Sequence, residues 1–149
     1  FQYFFTISTL NFSENINSTS VSAKHDAYKN NFNYLCKRVI KINKKSGNLW
    51  GEDNLISENN DKELVVNYSI RFHLYPGINA VQTIGKNSVL IQIEKNKSLV
   101  FTSSGQNISL EKSIFLGRNQ IINNFCINVS GILKENKSKK IHWNLEKNN

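Results

Sequence analysis

The sequence predicts an all-β chain folded as an antiparallel β-sandwich with little or no helix. Three observations carry that expectation. Apolar and polar residues alternate with a period of two, the period of a half-buried strand. Turn residues break the alternation at intervals of about 8–12 residues, as in sandwiches. No stretch sustains the apolar repeat of a long amphipathic helix.

The elements follow in chain order. Residues 35–43 and 49–56 read as strands separated by the turn sequence Lys45-Ser46-Gly47-Asn48. A strand over 63–74 closes at Pro76-Gly77; within it Ile70, Phe72 and Leu74 share one face, and Ser69, Arg71 and His73 the other. Gly85-Lys86-Asn87 joins two more strands, and in the second, over 88–94, Val89, Ile91 and Ile93 align. Gly105-Gln106 and Gly117-Arg118-Asn119 mark further turns, followed by a short strand over 125–129. Residues 133–139 are polar and read as a hairpin loop. In the last strand Ile141, Trp143 and Leu145 alternate with His142, Asn144 and Glu146. The expected core is Ile70, Phe72, Leu74, Val89, Ile91, Ile93 and Trp143.

A chain of 149 residues with 39% apolar side chains is long enough for one domain with its own core, so residues 1–149 are read as a single domain. No internal repeat or linker divides it. The formal charge is +8. Lys37, Arg38, Lys41, Lys44 and Lys45 lie in one stretch, and Lys134, Lys137, Lys139 and Lys140 in another. Such charge either keeps outward faces soluble or attracts a polyanion. No RRM-like or zinc-finger pattern favours nucleic acid, and no run of about 18 apolar residues spans a membrane. The chain starts at Phe1 and contains no Met, so it is read as a piece of a longer protein.

Cys36 and Cys126 form no C-x-x-C pair; they are either one disulfide or two buried thiols. There is no phosphate loop, no H-E-x-x-H and no G-x-S-x-G, so no complete catalytic site is expected. His25, His73 and His142 are far apart in sequence, and neither a metal site nor a cofactor is expected. Two polar clusters stand out. His25-Asp26-Ala27-Tyr28 puts an imidazole, a carboxylate and a phenol in one loop, suited to proton transfer, or else to a turn cap and an edge aromatic. Arg71 and His73 form an outward row able to pair with carboxylate or sulfate, or an ordinary solvent-facing row.

Five landmarks occur in order: His25-Asp26-Ala27-Tyr28, Gly51-Glu52-Asp53, Ile70-Arg71-Phe72-His73-Leu74-Tyr75-Pro76, Leu110-Glu111-Lys112-Ser113-Ile114-Phe115-Leu116-Gly117, and Ile141-His142-Trp143-Asn144-Leu145. The series resembles the C-terminal β-sandwich of bacterial heparinase II/III-like proteins, a polysaccharide lyase family. The resemblance runs from about Ser8 to Leu145. It implies a larger periplasmic or cell-envelope enzyme, with an α-helical toroid upstream, that cleaves uronic-acid-containing glycans by β-elimination. A Tyr/His base takes the C5 proton there and a polar group neutralises the carboxylate, mostly upstream of this chain. The piece alone is therefore expected to be inactive. It would shape a cleft wall and attract an acidic polysaccharide, with His25, Tyr28, Arg71 and His73 as substrate contacts. The chain departs from the family pattern at Ile7, where the first strand carries His, and at Tyr75, where a second His is frequent. The rival reading is a non-catalytic carbohydrate-binding or scaffold sandwich.

Overall fold

The computed structural model describes residues 6–58, 65–117, 119–134 and 137–148. These form eleven strands and one four-residue helix, arranged as two antiparallel sheets of eight and three strands, an all-β sandwich. The chain divides into two compact units, one running through Asn67 and including Ile132–Trp143, the other comprising Tyr68–Gly131 and the residues from Asn144 on.

The first unit contains β1 (Ile7–Glu14), β2 (Ser18–His25), helix α1 (Lys29–Phe32), β3 (Tyr34–Asn43), β4 (Leu49–Ser57) and the first half of β11 (Lys139–Asn148). The strands lie in the order β1-β2-β3-β4-β11. Asparagine side chains close the hairpins by accepting backbone N–H groups. Asn15 Oδ1 takes those of Asn17 and Ser18 at 2.9 and 2.8 Å, and Asn43 Oδ1 those of Lys45 and Ser46 at 2.9 and 3.0 Å. Gly47 follows at φ +74°, a conformation that glycine adopts without steric cost. In β4 the alternation is complete. Gly51, Asp53 and Leu55 are buried, while Trp50, Glu52 and Asn54 occupy the opposite, partly open face. Leu55, Ile141 and Trp143 supply much of the apolar core of this unit.

The second unit contains β5 (Val66–His73) from Tyr68 on, β6 (Asn79–Gln82), β7 (Ser88–Glu94), β8 (Lys97–Ser103), β9 (Asn107–Gly117) and β10 (Gln120–Leu133) through Gly131, with the rest of β11. Here the orders are β11-β8-β7-β6 and β5-β10-β9. Val89, Ile91, Phe101, Ile108, Ile127 and Val129 are buried, and Phe72 meets Phe101 at 4.9 Å between ring centroids.

Several expectations need correction. The strand expected over 125–129 is β10, fourteen residues long and paired with β9 from Gln120↔Gly117 to Ser130↔Asn107. Asn123 and Asn124, poor strand formers, obscure its first half in the sequence. Ile93 is 44% exposed rather than buried, because the β7–β8 register shifts between Gln92 and Glu94 and the alternation ends there. Phe72 and Leu74 are only half-buried; β5 stops at His73, one residue short of Leu74. Positions 63 and 64 of the strand expected over 63–74, Arg118 of one turn, and 135–136 of the polar loop lie outside the described residues.

Both cysteines are free thiols, Cys36 half-buried and Cys126 buried, so the alternative of a bridge is not realised. Burial, reinforced by the Asp53 charge and opposed by Arg38, pushes the Cys36 thiol up to about 11. Burial also raises Cys126, against the pull of Arg71. At pH 8 only about one Cys36 in a thousand is thiolate, the reactive form. A chromogenic disulfide reagent should therefore titrate both thiols at least about 100-fold more slowly in the folded than in the urea-unfolded protein. Rapid reaction of the native chain would contradict this burial.

Candidate functional site

His25 ends β2, opposite Cys36 of β3. Its Nδ1 accepts the Ala27 N–H at 3.3 Å, which leaves the proton of a neutral ring on Nε2. Tyr28 is half-exposed, with its ring 5.8 Å from His25 and 6.4 Å from Phe32. Asp26 is occupied by the turn. Its Oδ1 accepts the Thr6 N–H at 2.7 Å, and its carbonyl accepts the Lys29 N–H at 2.9 Å. The loop thus brings His25 and Tyr28 together as a short aromatic step and assigns Asp26 to structure.

Arg71 and His73 share the outer face of β5 in the second unit, as the alternation predicts. Arg71 is already paired: its Nη1 lies 3.1 Å from Glu111 Oε2. Glu111 Oε1 accepts from Asn128 Nδ2 at 2.7 Å and from Ser109 Oγ at 3.1 Å, and Asn128 Oδ1 accepts from Ser69 Oγ at 2.6 Å. The Asn128 hydrogen bond, then Ser109 and Arg71, hold the Glu111 carboxyl below its usual range despite some desolvation. His73 Nδ1 meets Ser113 Oγ at 3.1 Å. This row is an internal polar network. The pair His25 and Tyr28 belongs to one compact unit, the pair Arg71 and His73 to the other.

Two further groupings were not singled out from sequence. One is buried. Arg38 grips Asp53 with Nε–Oδ1 at 2.7 Å and Nη2–Oδ2 at 3.0 Å, and the Trp143 indole donates to Asp53 Oδ2 at 3.0 Å. The Trp143 ring lies over Gly51, where a Cβ would fall 2.0 Å from a ring carbon. The landmarks Gly51-Glu52-Asp53 and His142-Trp143 are thus two halves of one packing node.

The other grouping is on the opposite face of the same strands. Register sets Lys24 of β2 directly opposite Lys37 of β3, and Lys37 opposite Asn54 of β4. Lys41 lies four residues along β3 on the same face, opposite both Ser20 and Trp50. Trp50 stacks on His142 with ring centroids 5.7 Å apart and planes 29° apart. Lys140 Nζ and His142 Nδ1 lie 3.8 and 3.6 Å from the Glu52 carboxylate. Lys24, Lys37 and Lys41 have no carboxylate partner among the described residues. Like charges directly opposite one another on a sheet destabilise it, so an anion bridging them would relieve a repulsion already built in. The signal in sequence was the basic stretch from Lys37 to Lys45, but Arg38 and Lys44 of that stretch are paired, with Asp53 and with Glu14. Among the described residues no three His, Cys, Asp or Glu gather as a metal site, and no helix is long and apolar enough to cross a membrane.

The sequence profile of the heparinase II/III-like C-terminal family matches residues 7–144. No curated protein sequence matches the chain. Among solved structures, heparan sulfate lyase HepC from Pedobacter heparinus superposes with a TM-score of 0.76 at 13% identity, over 97% of this chain and 24% of that one. A heparinase III structure gives 0.71 at 15% identity, over 97% and 23% respectively. These likenesses establish the fold, and the chain spans about a quarter of the length of the proteins it resembles.

Proposed function

The chain belongs to the heparinase II/III-like C-terminal family, and from that membership we propose that it is the glycan-facing sandwich of a larger polysaccharide lyase. The substrate would be an acidic, uronic-acid-containing glycan cleaved by β-elimination. Proton abstraction would fall to residues outside this chain, in an upstream toroid, and the whole protein would work in the periplasm or cell envelope. This chain would supply one wall and the attraction of the polymer.

The observation that carries the reading is the row of unmatched lysines, Lys24, Lys37 and Lys41, beside the Trp50–His142 stack. Ammonium groups form charge-assisted hydrogen bonds with carboxylates and sulfates. The Trp50 ring offers a flat apolar patch against which a sugar face can lie, while serine and asparagine side chains on neighbouring strands can meet hydroxyls. His25, opposite Cys36, alternates with Lys24 along β2, so with Tyr28 it would meet the glycan only where the polymer passes around the end of that strand. Arg71 could reach a glycan anion only by giving up Glu111, so its share, with that of His73, is the smaller.

Exposed ion pairs contribute about 0.5–1 kcal/mol each. The triple substitution of Lys24, Lys37 and Lys41 by Ala should therefore weaken binding of a sulfated uronic-acid oligosaccharide by roughly tenfold to a hundredfold. It should also flatten the salt dependence. Melting temperature should hold or rise, because the repulsion between Lys24 and Lys37 is removed. Calorimetry with sulfated and neutral oligosaccharides checks both points, and ultraviolet absorbance should detect no unsaturated product from the chain alone. Unchanged affinity in the triple variant, or equal binding of a neutral glycan, would sink the proposal.

A further inference from the structure

In the second unit the chain passes from the β5-β10-β9 sheet to β6, in the other sheet, through a tight turn. Pro76 and Gly77 are its two central residues, Gly77 at φ +85°, and the Ile78 N–H donates to the Tyr75 carbonyl at 3.2 Å. This is the pattern of a type II turn, which places glycine at its third residue. The chain is pinned to β10 just before the turn begins. The Leu74 N–H donates to the Phe125 carbonyl at 2.8 Å, and Asn124 Nδ2 to the Leu74 carbonyl at 2.7 Å. Beside the turn lies a cavity of about 340 Å³. Residues 77–79 line it from the turn side, and Lys112, Asn123 and Asn124 are among the residues that line it from β9 and β10. That volume is at the small end of ligand pockets.

The polar groups of this lining are largely unpaired. Asn124 is 7% exposed; its amide nitrogen is held by Leu74, and its Oδ1 has no hydrogen-bond partner among the described residues. A buried acceptor without a donor costs free energy until one is supplied. The Asn79 and Asn123 carboxamides and the Lys112 ammonium also have no side-chain partner among the described residues. Glu111, next to Lys112 in sequence, alternates to the other face of β9, where Asn128, Ser109 and Arg71 hold it. Tyr75, in the same turn, is 72% exposed and leans on Phe115, with ring centroids 5.9 Å apart. An unmatched cation, open carboxamides and an exposed aromatic ring recognise, in turn, a carboxylate, hydroxyls and the apolar face of a sugar ring.

We propose that this cavity is a second glycan site, one that holds a single acidic sugar residue. Lys112 would take the carboxylate, Asn79 and Asn123 the hydroxyls, and Tyr75 the ring face at the margin. A hydroxyl placed beside Asn124 is the kind of donor that its Oδ1 lacks. A lone inorganic anion would use Lys112 and leave the carboxamides idle. That the residue is acidic follows from Lys112; that the ligand is a sugar rests on the glycan reading above. The site is nonetheless separate from the lysine row. All of its groups belong to the second unit, whereas Lys24, Lys37 and Lys41 belong to the first. The cavity has room for about one ring, which suits the end of a glycan rather than a run of several residues.

The test is titration of the isotope-labelled protein with glucuronic acid, read by nuclear magnetic resonance. The backbone amides of Gly77, Ile78 and Lys112 and the side-chain amides of Asn79 and Asn123 should shift together, with a Kd of about 1 mM, as suits one ring of few atoms. Lys112→Ala should weaken glucuronate binding about fivefold and leave glucose, which lacks the carboxylate, unaffected. Asn123→Ala should weaken both sugars. Lys112 and Asn123 are exposed, so the melting temperature should hold in both variants. Absence of shifts at these amides, or equal affinity for glucuronate and glucose, would overturn the inference. Shifts reproduced in full by inorganic sulfate would overturn it in favour of a simple anion site. The triple variant of Lys24, Lys37 and Lys41 keeps the two glycan readings apart. It should leave the shifts at Gly77 and Lys112 in place, and their loss would put the sugar in the first unit and overturn this inference. Unchanged oligosaccharide affinity in that variant would count against the functional proposal and leave the cavity shifts unaffected.

Discussion

Gly51→Ala is expected to destabilise the protein by about 3 kcal/mol or more, at the upper end of what one added methyl group costs in a packed core. The new Cβ would lie 2.0, 2.1 and 2.6 Å from three carbons of the Trp143 ring. That ring has no retreat. It is buried, and its indole nitrogen is tethered to Asp53 Oδ2 at 3.0 Å. Either the tether breaks or β4 moves away from β11, and each route uncovers core. The urea midpoint of the variant measures the loss. The Trp143→Leu substitution, costly by itself, should partly rescue Gly51→Ala, giving a coupling well above the few tenths of a kcal/mol expected of independent sites. A loss below about 1 kcal/mol, or strict additivity, would mean that the ring does not rest on this glycine.

Asp53→Ala is expected to cost about 3 kcal/mol, the lower end of the range for breaking a buried ion pair. The lower end applies because the Arg38 side chain is 39% exposed and can recover water, whereas the Asp53 side chain is 10% exposed. What cannot be recovered is the Asp53 oxygen that accepts from the Trp143 indole inside the buried node. Asp53→Asn keeps an oxygen in place and should lose less than half as much. Thermal and urea unfolding distinguish the two variants, and equal losses would mean that shape rather than the hydrogen-bond acceptor holds the node together.

The fold could be read from the sequence wherever strands alternate strictly. Val89 and Ile91 fall in the core as the pattern requires, and Ser69, Arg71 and His73 face outward. It could not be read where another force sets the geometry. The bulge that exposes Ile93 depends on the partner strand β8, and the length of β10 depends on continuous pairing with β9, which overrides the poor strand propensity of its asparagines. The same division holds for the candidate site. His25 and Tyr28 are neighbours in sequence and stay neighbours in space. The pairing of Arg71 with Glu111, forty residues away, and the opposition of Lys24 and Lys37 are products of register. Local sequence carries no trace of a contact until the hairpins that create it are aligned. Asp53 was visible as part of a landmark, but its role became clear only when the chain returned with Trp143.

The two-sidedness of β2 and β3 constrains how the sequence can change. Lys24 and Lys37 face one way, Val21 and Ile40 the other, and a single pleat sets both directions. Loss of Ala23 would turn Ser22, Val21 and every β2 residue before them through half a turn of the pleat. Val21 would then point toward the lysine side, and Ser20 and Ser22 would come together on the side of Ile40. Point substitutions on the lysine side leave the apolar rows intact, so affinity can drift residue by residue. Length changes within these strands strike both surfaces in one event. Lineages should therefore vary freely in the residues around Lys41 and in the length of the Lys45-Ser46 turn, while keeping the number of residues in β2 and β3 constant.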